Sequence, residues 1–398
     1  MKYNMVKLKE LCTVNQGLQI PISKRYKEPG ENRYFYITVQ FLKDNGENYY
    51  IENPPKSVTC TEDEILVVRT GNTGQVITGV AGCFHNNFFK VTPNEKIYFK
   101  YLYYALNNKK MHDAMLNAAS GTTIPDLKHS SFYDLEIPLP EISNQKKIPK
   151  ILDNICDKLK LNNEINNNLF ELLKSDFKNK FYKKDEKDSF LSDYISETIG
   201  GDWGKESPEG NNNTKVYCVR GADIPSMEYG NKGNAPIRYI LEKNYNNKKL
   251  NPNNIIIEIS GGSPTQSTGR TAYITQNILD MYDSPLLCTN FCRAIETKNE
   301  LLAPFVYMNL KLMYEDDVFF NWENGTTGIK NLALNDMLSN IEVKTPDEND
   351  LKEYNLLFNN IMNKISNNSN ENIKLEQLRD TLLPKLMNGE IDLDNIEI

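Results

Sequence analysis

The chain has 398 residues, with 53 acidic against 46 basic side chains and a net charge of -7, so it is long enough for two ordinary cores and lacks the basic excess of a free-standing DNA binder. Its seven scattered cysteines are odd in number, which argues against a disulfide framework and fits a reducing compartment. No apolar run approaches the ~18 residues of a membrane span and nothing reads as a leader, which predicts a cytoplasmic protein without membrane contact.

The charge is uneven. Residues 1–140 carry 16 basic and 14 acidic side chains, whereas residues 346–398 carry 5 and 11. Contact with phosphates by this chain alone is therefore expected to be modest, with a partner supplying much of it.

In chain order, residues 5–13 read as a short opening segment and residues 34–41 (YFYITVQF), rich in aromatic and β-branched side chains, as a strand. Residues 64–68 form the clearest buried strand, running into the turn-rich loop Arg69-Thr70-Gly71-Asn72-Thr73-Gly74 and then Gln75-Val76-Ile77. Residues 99–106 and 111–119 read as helices before Ser120-Gly121-Thr122-Thr123-Ile124-Pro125-Asp126-Leu127, and residues 134–137 as a short strand closed by Pro138 and Pro140. Next, Ile148, Ile151, Leu152, Ile155, Leu159, Ile165, Leu169 and Leu172 step mostly by three or four and mark one apolar face of a long helix over residues 144–181. Pro149 is expected in its first turn, where a missing N–H is tolerated.

The second half repeats this order with other side chains. A strand at 215–219 leads to Arg220-Gly221-Ala222-Asp223-Ile224, and the buried strand 254–259 (NIIIEI) leads to Ser260-Gly261-Gly262-Ser263-Pro264-Thr265. A helix at 301–313 precedes Gly325-Thr326-Thr327-Gly328-Ile329-Lys330-Asn331-Leu332, which matches the Gly121 segment with one residue inserted, and a strand at 341–343 ends before Pro346. Adding 206 to the eight apolar positions gives Tyr354, Leu357, Phe358, Ile361, Ile365, Glu371, Leu375 and Leu378, of which only Glu371 is polar. The polar break recurs as well, Asn162 and Asn166 falling on Asn368 and Asn372. A shared pattern and a shared interruption at one offset indicate an internal duplication. Each helix, at about 38 residues, would reach about 55 Å, a spacer rather than a core filler.

The predicted architecture is a mixed α/β (α+β) fold with an internal pseudo-two-fold repeat. Two domains, residues 1–140 and 186–347, are separated by a pair of long antiparallel coiled-coil helices, residues 141–185 and 348–398. Linkers are expected at 182–189 and at the Asn/Gly-rich stretch 201–213. The helix-pair and partner interface is assigned to Ile148, Leu152, Ile155, Leu159, Leu169, Leu172, Phe358, Ile361, Ile365, Leu375, Leu378 and Leu382.

Catalytic motifs are thin. Asn53-Pro54-Pro55-Lys56 has lysine where an adenine methyltransferase loop carries a stacking aromatic, and Glu342-Val343-Lys344 with Asp336 is read as a strand rather than a nuclease core. The three histidines, His85, His112 and His129, form no triad order, and no Cys/His set completes a metal site. No catalytic residue, metal or cofactor is assigned to this chain. The glycine loops lack a P-loop lysine. They read either as tight strand connections or as DNA contacts, where backbone N–H and hydroxyl groups hold phosphates while Arg, Asn or Gln reaches base edges. The DNA-binding candidates are Arg69, Thr70, Asn72, Thr73, Gln75, Thr122, Thr123 and Lys128 in the first domain, and Arg220, Ser263, Thr265, Gln266, Arg270, Thr326, Thr327 and Lys330 in the second.

These features, with the tail Leu375-Glu376-Gln377-Leu378-Arg379-Asp380-Thr381-Leu382-Leu383-Pro384-Lys385-Leu386-Met387-Asn388-Gly389-Glu390-Ile391-Asp392-Leu393 and the segment Thr61-Glu62-Asp63-Glu64-Ile65-Leu66-Val67-Val68, resemble the specificity subunit of Type I restriction-modification enzymes. The first helix ends in Ser175-Asp176-Phe177-Lys178-Asn179-Lys180 and departs from the family-like end of the second. The resemblance implies two target recognition domains, each reading half of a split double-stranded DNA sequence across a gap set by the helices. It implies two methyltransferase subunits as partners, using S-adenosylmethionine for adenine-N6 methylation, and motor-nuclease subunits using ATP and Mg. A specificity module of a methylation-only or other defence system, and a cytoplasmic scaffold of tandem protein-binding domains, are the alternatives.

Overall fold

The computed structural model describes residues 3–43, 47–121, 124–182, 187–263, 265–325 and 329–393. It comprises two compact units, one of residues 1–157 with 375–398 and the other of residues 158–374. The long helices, Ile142–Lys180 and Glu348–Met387, each contribute a part to both.

In the first unit an antiparallel sheet has the order Cys12–Gln16, Phe88–Pro93, Ile65–Val68, Val76–Ile77. Successive side chains of Ile65–Val68 point to opposite faces. Ile65 and Val67 join the cluster holding Tyr101, Leu102, Met115 and the long-helix residues Ile148, Leu152 and Leu386, while Leu66 and Val68 pack on Ile37, Phe84 and Phe88. Burial on both faces explains why this strand reads as an unbroken apolar run. A second sheet places Arg33–Ile37 parallel to Gly82–Phe84. A closing ribbon pairs Asn4–Lys7 with Glu136–Leu139. Pro138, expected to end that strand, lies inside it opposite Met5, where a two-stranded ribbon leaves its missing N–H on the unpaired side.

The second unit repeats the scheme. Its main sheet runs Ile195–Gly200, Cys292–Thr297, Ile255–Glu258, Thr271–Tyr273, a second sheet places Asn212–Val219 parallel to Leu286–Cys288, and Ser189–Phe190 closes on Glu342–Val343. The stretch 201–213, expected to be a linker, instead belongs to this unit. Asp202 N–H donates to Cys288 O, and strand Asn212–Val219 begins inside the stretch. Of the other expected linker, residues 183–186 lie outside the described residues, while Ser189 is already in the closing ribbon. Both units need glycine directly after the first strand of the main sheet. A Cβ at Gly17 would collide with the carbonyl oxygens of Phe84 and His85, and one at Gly201 with those of Cys288 and Thr289.

Within each unit the helix segments run antiparallel. Ile148 and Leu152 share a cluster with Leu386 and Met387 in the first, and Phe170, Leu173 and Phe177 with Tyr354, Phe358 and Ile361 in the second. Leu172 and Leu378, expected in this seam, are 51% and 46% exposed. Two asparagines occupy the seam at Asn162 and Asn166, and from there the buried positions continue at Phe170, Leu173 and Phe177, one residue out of phase with Leu172. Leu159, Leu169, Leu375 and Leu382 flank the seam half-buried. Pro149 sits well past the first turn of a helix that begins at Ile142, so one interior backbone hydrogen bond is absent. Upstream of it the Gln145 side chain fastens the helix start, accepting from Tyr98 N–H at 2.7 Å and donating to Pro140 O at 2.9 Å.

The polar break is a hydrogen-bonded layer whose bonds come in pairs related by the repeat. Asn162 Nδ2 donates to Asn372 Oδ1 at 2.9 Å, as Asn368 Nδ2 donates to Asn166 Oδ1 at 2.8 Å. Likewise Asn372 Nδ2 donates to Asn163 Oδ1 at 2.9 Å, as Asn166 Nδ2 donates to Ser369 Oγ at 3.4 Å. This reciprocity is what a local two-fold axis requires. Glu371, the one polar departure in the repeat, lies at the edge of the seam, where it accepts from Asn162 at 2.8 Å and pairs with Lys158 at 3.3 Å.

Candidate nucleic-acid interface

In the first unit Gln16 and Val68 both end their strands opposite the Phe88–Phe89 end of the neighbouring strand, so the segment after Gln16 and the Arg69 loop leave one end of the sheet. The Gly121 segment returns to that same loop. Leu127 N–H donates to Arg69 O at 3.1 Å, and Thr73 Oγ1, buried, donates to Pro125 O at 2.7 Å. The Arg69 guanidinium grips Asp126 with two bonds, Nε to Oδ1 at 2.6 Å and Nη2 to Oδ2 at 2.9 Å, and Thr70 Oγ1 donates to the same carboxylate at 3.0 Å. Arg69, Thr70 and Thr73 therefore clamp two loops together. What this ridge presents is Asn72 and Gln75, bonded to each other at 3.3 Å, and exposed Lys128 at the start of helix His129–Tyr133. His129 itself packs edge-on against Phe89, and burial holds its imidazole below the ordinary range.

The hydrogen bonds from Arg69, with a further one from Thr70, hold the Asp126 carboxyl below the usual carboxylate range. A depressed folded value means the clamp's contribution is present at neutral pH and is lost as pH falls through that value. Asp126→Asn at pH 7 is expected to speed hydrogen exchange at the Leu127 amide by about tenfold or more, the loss of a charge-assisted pair being worth about 1.5–3 kcal/mol. Unchanged exchange would show that the backbone alone holds the loops together.

The second unit builds the same ridge from other residues. Leu332 N–H donates to Ile259 O at 2.9 Å and Ser260 Oγ to Asn331 Oδ1 at 2.7 Å, again setting the loop after the buried strand beside the Gly325 segment. Arg270 grips buried Glu258 at 2.9 and 2.7 Å, Arg220 grips buried Asp223 at 3.0 and 3.1 Å, and Lys330 pairs with Glu323 at 2.8 Å. Ser263, Thr265 and Gln266 remain at the surface, with Gln266 Nε2 donating to Tyr314 OH at 3.2 Å. Thr122, Thr123, Thr326 and Thr327 lie outside the described residues. The carboxylates Asp126, Glu258 and Asp223 were not among the sequence candidates, although each stands inside a quoted stretch, Asp126 in 120–127, Asp223 in 220–224 and Glu258 in the strand 254–259.

A groove of about 1500 Å³ lies in the first unit between this ridge and the second long helix, lined by Asn72, Gln75, Lys109, His112, Arg379 and Pro384. Asn53-Pro54-Pro55 is a turn with Asn53 at positive φ, leading into a single 3₁₀ turn, and Glu342–Val343 is a two-residue strand. Among the described residues no group of three or more His, Cys, Asp or Glu is placed to hold a metal ion, and no helix is long and apolar enough to cross a membrane.

The Type I restriction modification DNA specificity domain is matched twice, by residues 1–171 and 183–377. The chain belongs to this family. It is 26% identical over 402 residues to the Type I restriction enzyme MjaIX specificity subunit of Methanocaldococcus jannaschii, covering 93% of this chain and 86% of that one. It is 22% identical over 380 residues to the HindI specificity subunit of Haemophilus influenzae, covering 76% and 80%. Its fold is similar to the crystal structure of a Type I restriction-modification S subunit from M. genitalium, with a TM-score of 0.57, 17% identity and coverage of 97% and 96%. The chain is thus a Type I specificity subunit with two DNA specificity domains, and its paired long helices fit the coiled coil read from the sequence.

Proposed function

We propose that this specificity subunit reads a split double-stranded DNA target, one half with each ridge, and directs partner enzymes to it. What carries the reading is one scaffold built twice with different surface chemistry, Asn72, Gln75 and Lys128 on one ridge and Ser263, Thr265 and Gln266 on the other. Amide side chains of this kind can make two bonds to the major-groove edge of a base, and hydroxyl groups position phosphates. Arg69, Arg220 and Arg270 act as anchors that preorganise the loops rather than as readers. Residues 1–140 and 186–347 serve as the two recognition domains, and the helices at 141–185 and 348–398 set the gap. Two methyltransferase subunits bind the assembly and carry out adenine-N6 methylation with S-adenosylmethionine. Motor-nuclease subunits using ATP and Mg join for cleavage in the cytoplasm, and this chain contributes no covalent step.

The test is co-purification with the methyltransferase encoded beside it, then methylation mapping on genomic DNA supplied with S-adenosylmethionine. The expected product is a split motif with a methylated adenine in each half. Exchanging residues 1–140 for those of a relative should change one half and leave the other. A stable complex with an active partner and no sequence preference would overturn the reading in favour of a protein scaffold.

A further inference from the structure

The asparagine layer is more than a polar patch in an apolar seam. Asn162, Asn166, Asn368 and Asn372 are between 1% and 6% exposed, and Ser369 is fully buried. The layer also touches the second recognition domain. Ser369 Oγ donates to Tyr229 O at 3.1 Å, a Cβ on the adjacent Gly230 would meet Ile365 and Ser369, and Phe170 packs on the Tyr229 ring at 5.7 Å. One set of side chains therefore joins the two helix segments to each other and to that domain.

Apolar seams tolerate sliding, because one leucine replaces another at little cost. Buried amides do not, since each needs its partner at one place. A slip of one heptad would set Asn166 against Ile361 or Leu375 instead of Asn368, leaving a desolvated amide unpaired. The pairing of Asn162 with Asn372 and of Asn368 with Asn166 holds in a single register.

We propose that this layer is the register lock of the helix pair and that it sets how sharply the assembled complex discriminates between gap lengths in its split DNA target. The proposal rests on the recognition function above. The layer consists of positioning residues, which touch no DNA.

The experiment compares the wild-type methyltransferase complex with one carrying Asn162→Leu, Asn166→Leu, Asn368→Leu and Asn372→Leu together. Both partners of the bonds between Asn162 and Asn372 and between Asn368 and Asn166 are thereby replaced by apolar groups, which preserves packing, while Ser369 keeps its bond to Tyr229 O and Glu371 its pair with Lys158. Substrates are duplexes holding the mapped half-sites at the native gap and at gaps one to three base pairs longer or shorter. Wild type should prefer its own gap by about tenfold or more, the scale of a single lost base contact, and the variant by less than about threefold. Leu287→Ala, buried in the second unit in a cluster that holds no long-helix residue, is the control and should lower the melting temperature without altering the gap profile. A quadruple variant that folds and keeps the wild-type profile would overturn the lock. If it fails to fold, the pair Asn166→Leu and Asn368→Leu is read in its place against the same thresholds. A wild-type complex that methylates no split sequence would overturn the functional reading, and the lock with it.

Discussion

Lys311→Ala should destabilise the second unit by about 3–5 kcal/mol, because it strands a charge in the core. Lys311 and Glu228 are 9% and 8% exposed and form an ion pair. Lys311 also meets Glu315 at 3.3 Å, which in turn meets Lys174 of the first long helix at 3.0 Å. Removing both partners, Glu228→Met with Lys311→Met, should by contrast come out within about 1 kcal/mol of wild type, since apolar replacement of a buried pair is commonly neutral or better. Urea unfolding of Lys311→Ala and of the double variant separates the two outcomes, and equal losses in both would refute a buried pair. The pH dependence has a definite sign. Burial pushes the Glu228 carboxyl up, with Lys311 pulling it back down. A carboxyl raised on folding favours the native state below its unfolded value and loses that contribution as pH rises through the folded value. Without Lys311 the upward push is unopposed, so the deficit of Lys311→Ala should shrink as pH is lowered toward 4.

How far the sequence carries depends on whether a feature is local. The apolar run at Ile65–Val68 was legible because burial on both faces leaves no polar position to hide it. The duplication was legible because two helices kept one pattern at one offset. The phase of each seam was less so. Periodicity gave Leu172 and Leu378, but Asn162, Asn166, Asn368 and Asn372 are seam positions in their own right, and a reading that counts only apolar residues steps around them. Partners far along the chain were out of reach. The Arg69 guanidinium meets Asp126, 57 residues on, and even the shorter pairing of Arg270 with Glu258, 12 residues before it, is made by the fold of the chain between them. Side-chain chemistry at the loops was thus readable as a type, while its role as reader or clamp required the fold.

The phase of the second helix can be tested directly, because Phe358 and Leu356 are two residues apart and face opposite ways. Phe358 is fully buried, its ring 4.8 Å from that of Tyr273 and 6.1 Å from those of Tyr307 and Tyr354. Tyr273 belongs to the main sheet of the second unit and Tyr307 to helix Ala303–Glu315, so this ring fastens the recognition domain to the helix. Edge-to-face contacts add to the area it buries. Phe358→Ala should cost about 3–5 kcal/mol, the transfer term plus the cavity left among rigid rings. Leu356 is 66% exposed, and Leu356→Ala should fall within about 0.5 kcal/mol of wild type. Chemical denaturation with fluorescence or circular dichroism separates the two. Similar losses for both would place the seam elsewhere on this helix, and with it the surface on which the second recognition domain is held.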